Sequence, residues 1–381
     1  MSVPERLLLG PGPSPISARV MRAMANPVLS HLDPEMVRLL DDVRTRLGRV
    51  FGAAPGASSL AVSGTGTAGM ETAISNVVTP GMRVAVVVNG YFGDRLAQIL
   101  TRYGATVTRI ESEWGRACDV EQVKQQLDAG PVELLAAVHA ETSTGVLNPV
   151  QDLARLAAER GALTVIDAVT SLGGMPLHAG AWGLDVCYSC SQKGLGAPSG
   201  FAPITFSARA LERRVASRSF YLDLGLLEDY WVRRRYHHTL SAPLLYALRE
   251  ALVVAEEEGL EARWARHDRH HRALAAGLEA LGLSLLPPAG ERLWTLNAVR
   301  VPDGVDEAAV RRALLEQFSI EIGAGLGPLT GRIWRVGLMG SGSTLSNVML
   351  FLTALERVLR EQGFATSAGG AAVVAAETAA G

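Results

Sequence analysis

Leu163-Thr-Val-Ile-Asp167, with the Ala168-Val-Thr-Ser-Leu-Gly-Gly174 that follows it, decides the reading of the fold. Four apolar-leaning residues are too few for a helix and enough for a buried strand, and this run closes on a carboxylate. No obvious helix starts after it, so Asp167 is poorly explained as a helix cap. Similar short runs recur on both sides: Leu60-Ala-Val62, Val84-Ala-Val-Val-Val88, Leu134-Leu-Ala-Ala-Val138, Val186-Cys-Tyr188 and Phe201-Ala-Pro-Ile-Thr-Phe206. Helical patterns at 69–78, 93–103, 150–160 and 208–215 lie between most of them. That alternation predicts an α/β fold with a mostly parallel sheet, helices on both faces and ligands at the carboxyl ends of the strands.

Beyond about residue 257 the texture changes. An Arg/His-rich helix is expected over 259–281, then the apolar stretch Leu293-Trp-Thr-Leu-Asn-Ala-Val-Arg-Val301, a helix, a short strand Ile320-Glu-Ile322, a strand over 332–338 and a last helix. The expected division is a large domain with an N-terminal arm over 1–257, a smaller α+β domain over 258–365 and a low-complexity tail over 366–381 that frays. His267, His270 and His271 share one helix face but alternate with Arg266, Arg269 and Arg272, which reads as a solvated face rather than a metal site. No metal is expected.

At 381 residues, 48% hydrophobic and 19% charged, the chain is long enough for a large core and too apolar for disorder. A net charge of −2 excludes nucleic acid or an anionic membrane as the main partner. No apolar run approaches the roughly 20 residues of a membrane span, and no signal-peptide core is seen, so a cytoplasmic protein is expected. The lone C-x-x-C of Cys187 and Cys190 falls in an apolar strand, which puts the two side chains on opposite faces and reads as core.

Of the 36 cationic residues only Lys124 and Lys193 are lysines. Lys124 sits in a polar helical stretch. Lys193, in Ser191-Gln-Lys-Gly194, stands beside a buried strand, where an amine able to lose its proton does what Arg cannot. An acid and a lysine at the ends of neighbouring strands are what pyridoxal 5′-phosphate (PLP) chemistry requires, the lysine as Schiff-base partner and the acid holding the pyridine nitrogen protonated. The pair alone reads equally well as a structural ion pair.

Ser63-Gly-Thr-Gly-Thr-Ala-Gly69 adds a phosphate site, because it follows a strand and opens a helix whose free N–H groups join the Thr65 and Thr67 hydroxyls. It also fits G-x-G-x-x-G, the fingerprint of a nicotinamide dehydrogenase, but the next strand ends in Val88-Asn-Gly-Tyr-Phe92 without the acid that would bind a ribose. Tyr91 and Phe92 are instead candidates to stack on a flat ring, or plain core. Glu141-Thr-Ser-Thr-Gly145 offers hydroxyls at another strand end, or ordinary turn chemistry.

With these residues assembled, the chain resembles the class V (fold type I) PLP-dependent aminotransferases, chiefly the alanine–glyoxylate/serine–glyoxylate group. The likeness runs from Leu7-Leu-Leu-Gly-Pro-Gly-Pro-Ser14 to about residue 360, through the segments 63–71, 139–145, 166–174 and 188–194, Tyr236-His-His-Thr239 and Trp334-Arg-Val-Gly-Leu-Met-Gly340. The resemblance implies a Schiff base on Lys193, Asp167 on the pyridine nitrogen, and Thr65, Gly66, Thr67 and Gln192 on the phosphate. It implies Thr142 on the phenolic oxygen, Phe92 stacked on the ring, and Arg335 with Gly12 at the substrate. Tyr236 and Thr239 match residues that reach the neighbouring subunit's cofactor, which implies a homodimer with shared sites. Some relatives carry a tryptophan at the position of Phe92 and a histidine at that of Thr67. The implied activity is ping-pong transfer of an amino group from a small amino acid, alanine favoured, to the 2-oxo acid glyoxylate. Serine–glyoxylate, serine–pyruvate, ureidoglycine–glyoxylate and aminoethylphosphonate–pyruvate transfer are the alternatives. A desulfurase would need a mobile cysteine, for which Cys118 is the candidate.

Overall fold

The structure, a computed structural model, describes residues 3–366 and 369–381. The chain enters through β1 (Leu7–Leu8), crosses a Gly-Pro-Gly-Pro segment, and forms α1 (Ala18–Ala23) and α2 (Pro34–Phe51). Asp33 caps α2 by accepting from the Glu35 N–H, Pro34 occupies its first turn, and Gly52 ends it at φ 59°, a left-handed position that favours glycine. Next come β2 (Ser58–Gly64), α3 (Gly66–Ser75), β3 (Arg83–Val88), α4 (Tyr91–Arg102), β4 (Thr106–Glu111), α5 (Val120–Asp128) and β5 (Leu134–Val138). A small hairpin of β6 (Ala140–Glu141) and β7 (Val146–Leu147) precedes α6 (Val150–Glu159), β8 (Leu163–Asp167), β9 (Val186–Tyr188) and β10 (Gly200–Phe206).

The large sheet runs in the order β2-β10-β9-β8-β5-β3-β4. All its pairings are parallel except those of β10, which is antiparallel to both β9 and β2. The expected α/β fold with a mostly parallel sheet is therefore found, and each of the six apolar runs is a strand. Their near-continuous Val, Leu and Ala content reflects burial on both faces. β4 has no such run: Thr106-Val-Thr-Arg-Ile-Glu111 lies at the sheet's edge and buries only Ile110, so its sequence carries little strand signal.

After β10 come α7 (Ala208–Glu212), α8 (Leu224–Trp231), α9 (Ala242–Glu258) and α10 (Leu260–Ala280), with Gly259 at φ 82° as the single residue between the last two. The remainder is β11 (Leu296–Arg300), α11 (Glu307–Phe318), β12 (Ile320–Glu321), β13 (Gly323–Ala324), β14 (Ile333–Gly337), α12 (Leu345–Glu361) and α13 (Ala371–Ala380). β11, β14 and β13 form an antiparallel sheet, while β12 pairs in parallel with β1. Buried apolar residues form one large cluster around the main sheet and a second among α10, α11, α12, α13 and β14, which also takes in Leu9.

Two expectations fail here. The face of α10 bearing His267, His270 and His271 is buried, not solvated. Each imidazole Nδ1 has a partner: the Arg263 carbonyl at 2.7 Å, the Ser343 hydroxyl at 3.1 Å and the Asn297 side-chain oxygen at 2.7 Å. The helix packs on α9, α12 and α13 together, so a face that looks polar in sequence is enclosed, and burial pulls all three histidines below their ordinary pKa. The tail does not fray where it is described. α13 is a helix with Ala372 and Ala376 fully buried, while positions 367 and 368 of the expected tail lie outside the described residues. Alanine is the best helix former, and its small side chain lets α13 lie close on α10 at Gly277.

Candidate active site

The carboxyl ends of β2, β3, β5, β8 and β9 open on one side of the sheet, and a cavity of about 280 Å³ lies there. Thr65, Gly66 and Thr67 line it from the start of α3, Phe92 and Arg95 from α4, Asp167 from the end of β8, and Gln192 and Lys193 from the loop after β9. Thr142 lines it from the turn after β6. Eight of the residues singled out in the sequence thus meet around one space.

Lys193 is 9% exposed, and its Nζ donates to the Pro11 carbonyl. Burial lowers its pKa, which favours the neutral amine. The neighbouring loop is held as well: Ser14 Oγ donates to the Lys193 carbonyl at 2.8 Å, and the Ser14 N–H to the Gln192 carbonyl at 2.9 Å. Gly12 lies against the lysine stem. A Cβ there would come within 2.7 Å of Lys193 Cδ and Cε, and its φ of 112° suits glycine alone.

Asp167 is 3% exposed with both oxygens engaged. Oδ1 accepts from the Val169 N–H and Oδ2 from the Tyr188 hydroxyl, each at 2.8 Å. Burial pushes its pKa up to about 6, against the pull of those two hydrogen bonds. Tyr188 is itself fully buried and stands directly opposite Asp167 in the β8–β9 register.

At the start of α3 the cap residue Thr65 makes no side-chain cap bond, which leaves its hydroxyl and the first N–H groups facing the cavity. Gly66 is required by packing, since a Cβ would meet Val169 Cγ2 at 2.9 Å. Thr67 Oγ1 accepts from Arg95 Nη1 at 3.2 Å, and the side-chain oxygen of Gln192 has no protein partner. Phe92 is fixed by a residue the sequence reading passed over. Glu141, fully buried, accepts from the N–H groups of Phe92 at 3.2 Å and Gly93 at 3.1 Å, and from both N–H and hydroxyl of Ser143. It acts as the cap of α4 from another chain segment.

Thr142 shares a hydroxyl hydrogen bond with Thr170. Arg335, 7% exposed, donates through Nε to the Ala324 carbonyl at 2.6 Å and through Nη1 to the Thr142 carbonyl at 3.5 Å. Burial draws its pKa down to about 10. Arg335 and Gly12 are adjacent to the cavity without lining it. Tyr236, 62% exposed, and Thr239 are not brought to it at all.

The residues fit PLP on their own chemistry. They supply a buried amine with a lowered pKa, a buried carboxylate, an aromatic face and a helix start with unpaired donors around one cavity. They do not fit a dinucleotide: β3 is followed by Asn89, whose side-chain amide bonds the Arg116 carbonyl and Asn148 where a ribose-binding acid would be needed. Nor do they supply a reactive thiol, because Cys118 and Cys190 are buried and burial pushes both up to about 12.

The comparisons agree with this chemistry. The sequence profile of the family "Aminotransferase class-V" matches residues 8–333. The solved alanine–glyoxylate aminotransferase of Nostoc sp. is similar at a TM-score of 0.92 and 47% identity, over 94% of this chain and 97% of that one. The solved ureidoglycine–glyoxylate aminotransferase of Bacillus subtilis gives a TM-score of 0.96 at 37% identity, over 100% and 99%. The alanine–glyoxylate aminotransferase of Drosophila melanogaster is 37% identical over 368 residues, 94% of this chain and 93% of that protein. On the family profile and these full-length relatives, the chain belongs to the class V aminotransferases and is an enzyme that works with pyridoxal 5′-phosphate.

Proposed function

We propose that the enzyme moves the amino group of a small amino acid, alanine foremost, to glyoxylate in two half-reactions. The observation that carries the reading is the buried amine of Lys193 and the buried carboxylate of Asp167 lining one cavity at the ends of adjacent strands. Glyoxylate as acceptor rests on the names of the relatives in both sequence and structure. Ureidoglycine is the second donor to consider, because the B. subtilis protein of that name matches along the whole chain.

In this reading Thr65, Gly66, Thr67 and Gln192 hold the cofactor's phosphate, Asp167 its pyridine nitrogen, Thr142 its phenolic oxygen, and Phe92 packs on its ring. When bound, PLP supplies an aldehyde carbon that amines attack and a ring that withdraws electrons. Lys193 Nζ, whose pKa burial lowers, is the group positioned to take the proton from the substrate's Cα. Asp167, ionised above pH 6, stabilises positive charge at the nitrogen beside it. Arg335 offers a planar fork to the substrate carboxylate, with Gly12 leaving room beside Lys193. Pro11 and Ser14 keep the arm seated over the lysine and exclude water from it.

Tyr236 and Thr239 are exposed and do not line their own cavity, which suits residues that complete the site of a second subunit in a homodimer. A cytoplasmic location belongs to the same reading; no helix of the described residues is long and apolar enough to cross a membrane.

The test is an absorbance spectrum of the PLP-loaded protein before and after adding alanine, then serine, then ureidoglycine, without acceptor. A visible band that bleaches with one donor identifies it. Lys193→Ala should lose both the band and the transamination, and full activity in that variant would overturn the assignment.

A further inference from the structure

Arg95 lies one turn into α4, three residues after Phe92, and none of the roles above uses it. Its guanidinium stands 5.0 Å from the centre of the Phe92 ring and 5.2 Å from that of Tyr91. Nη1 reaches across to α3 and donates to Thr67 Oγ1 at 3.2 Å, and the side chain lines the cavity. Among the described residues no carboxylate pairs with it. The adjacent Asp94 is turned away, with one oxygen 2.8 Å from Arg109 and the other accepting from Gln98 at 2.6 Å. A half-buried arginine that spends one of its five N–H donors on a threonine and has no counter-ion is an incomplete arrangement.

The surroundings indicate what completes it. Thr65 and Gly66 turn a helix start, with its unpaired N–H groups, toward the same space. The one acid lining the cavity, Asp167, belongs to β8 and already accepts two hydrogen bonds. A ligand with an anionic end at α3 and a cationic ring nitrogen at Asp167 would match both charges. Asp167 leaves the helix start to the anion, and Arg95 adds there the only charge that side chains of α3 and α4 direct into the cavity.

We propose that Arg95 is a ligand of the cofactor's phosphate, binding it by charge and hydrogen bonds while its π-contact with Phe92 holds the stacking ring in place. The guanidinium thereby couples the two grips on the cofactor, one on its phosphate and one on its ring. This rests on the cavity being the PLP site.

Equilibrium titration of the apoenzyme with PLP, and separately with pyridoxal, which lacks the phosphate, tests the proposal. In Arg95→Gln the Kd for PLP should rise on the order of tenfold or more, while that for pyridoxal rises by only about two- to fivefold, the share carried by the lost contact with Phe92. Arg95→Lys, which keeps the charge but not the fork, should fall between and reads the same ratio if Arg95→Gln does not fold. Inorganic phosphate should raise the melting temperature of the wild-type apoenzyme more than that of either variant. Equal weakening toward PLP and pyridoxal would mean that Arg95 acts only through Phe92, and unchanged PLP affinity that it does not touch the phosphate; either result overturns the proposal. A wild-type protein that binds neither compound would overturn the placement of the cofactor instead.

Discussion

Burial and hydrogen bonding act on Asp167 in opposite directions, and burial wins: its pKa stands at about 6 against an ordinary 3.8. The folded apoenzyme therefore holds a proton that the unfolded chain has lost between those values. The resulting stability is complete below pH 3.8 and disappears as pH rises through 6, a loss on the order of 3 kcal/mol by neutrality. Tyr188 limits that loss by donating to the ionised carboxylate. In Tyr188→Phe the carboxyl should titrate higher still, by roughly one pH unit for a hydrogen bond to a charged group. The acid limb of PLP binding should move up by that amount while affinity at pH 8.5 stays near wild type. A limb that does not move would mean that the phenol does not act on the charge. Lys193, Asp167 and Thr65 to Thr67 were legible in sequence because strand ends and helix starts announce themselves locally. Arg95, Glu141 and Tyr188 were not, since their partners lie on other segments: Tyr188 is core until the β8–β9 register sets it opposite Asp167.

Among the elements, the helices of the second cluster show where pattern reading stops. Each apolar run gave a strand, because burial on two faces leaves an unbroken Val/Leu signature. The edge strand β4 and the enclosed face of α10 gave no such signal, since one is barely buried and the other is buried as paired imidazoles. α13 is a third case, a low-complexity stretch ordered by where it docks. Gly277 makes that docking possible, because any Cβ there would press on Leu352 and come within 3.0 Å of the Ala372 carbonyl. Gly277→Leu should displace α13 and lower stability by about 1–3 kcal/mol, the usual cost of overpacking, without changing PLP affinity. Hydrogen exchange across 371–380, read beside a PLP titration, separates the two effects. Undisturbed protection of α13 would contradict this account of its docking.

At the scale of the whole molecule, sequence gave the order of elements but not how the N-terminal arm joins them, because β1 is two residues long and its partner β12 is as short and distant in the chain. The proposed dimer makes a prediction at this scale. In a mixture of Lys193→Ala and Tyr236→Ala subunits, each heterodimer has one site with both changes and one with neither. Activity absent from each parent should return on mixing and refolding, up to about a quarter of the wild-type sites for random pairing. No recovery would mean that Tyr236 serves its own subunit. The pairing of β1 with β12 also has a consequence for biosynthesis. Ile320, the register partner of Leu7, is synthesised more than three hundred residues after it. At about 10 residues per second that delay is on the order of half a minute. Through that interval the segment that seats Pro11 on Lys193 lacks its strand partner and has its bonds to the loop at 192–193 to hold it. A nascent or prematurely terminated chain can thus complete the main sheet and still lack the strand pairing that fixes the arm over Lys193.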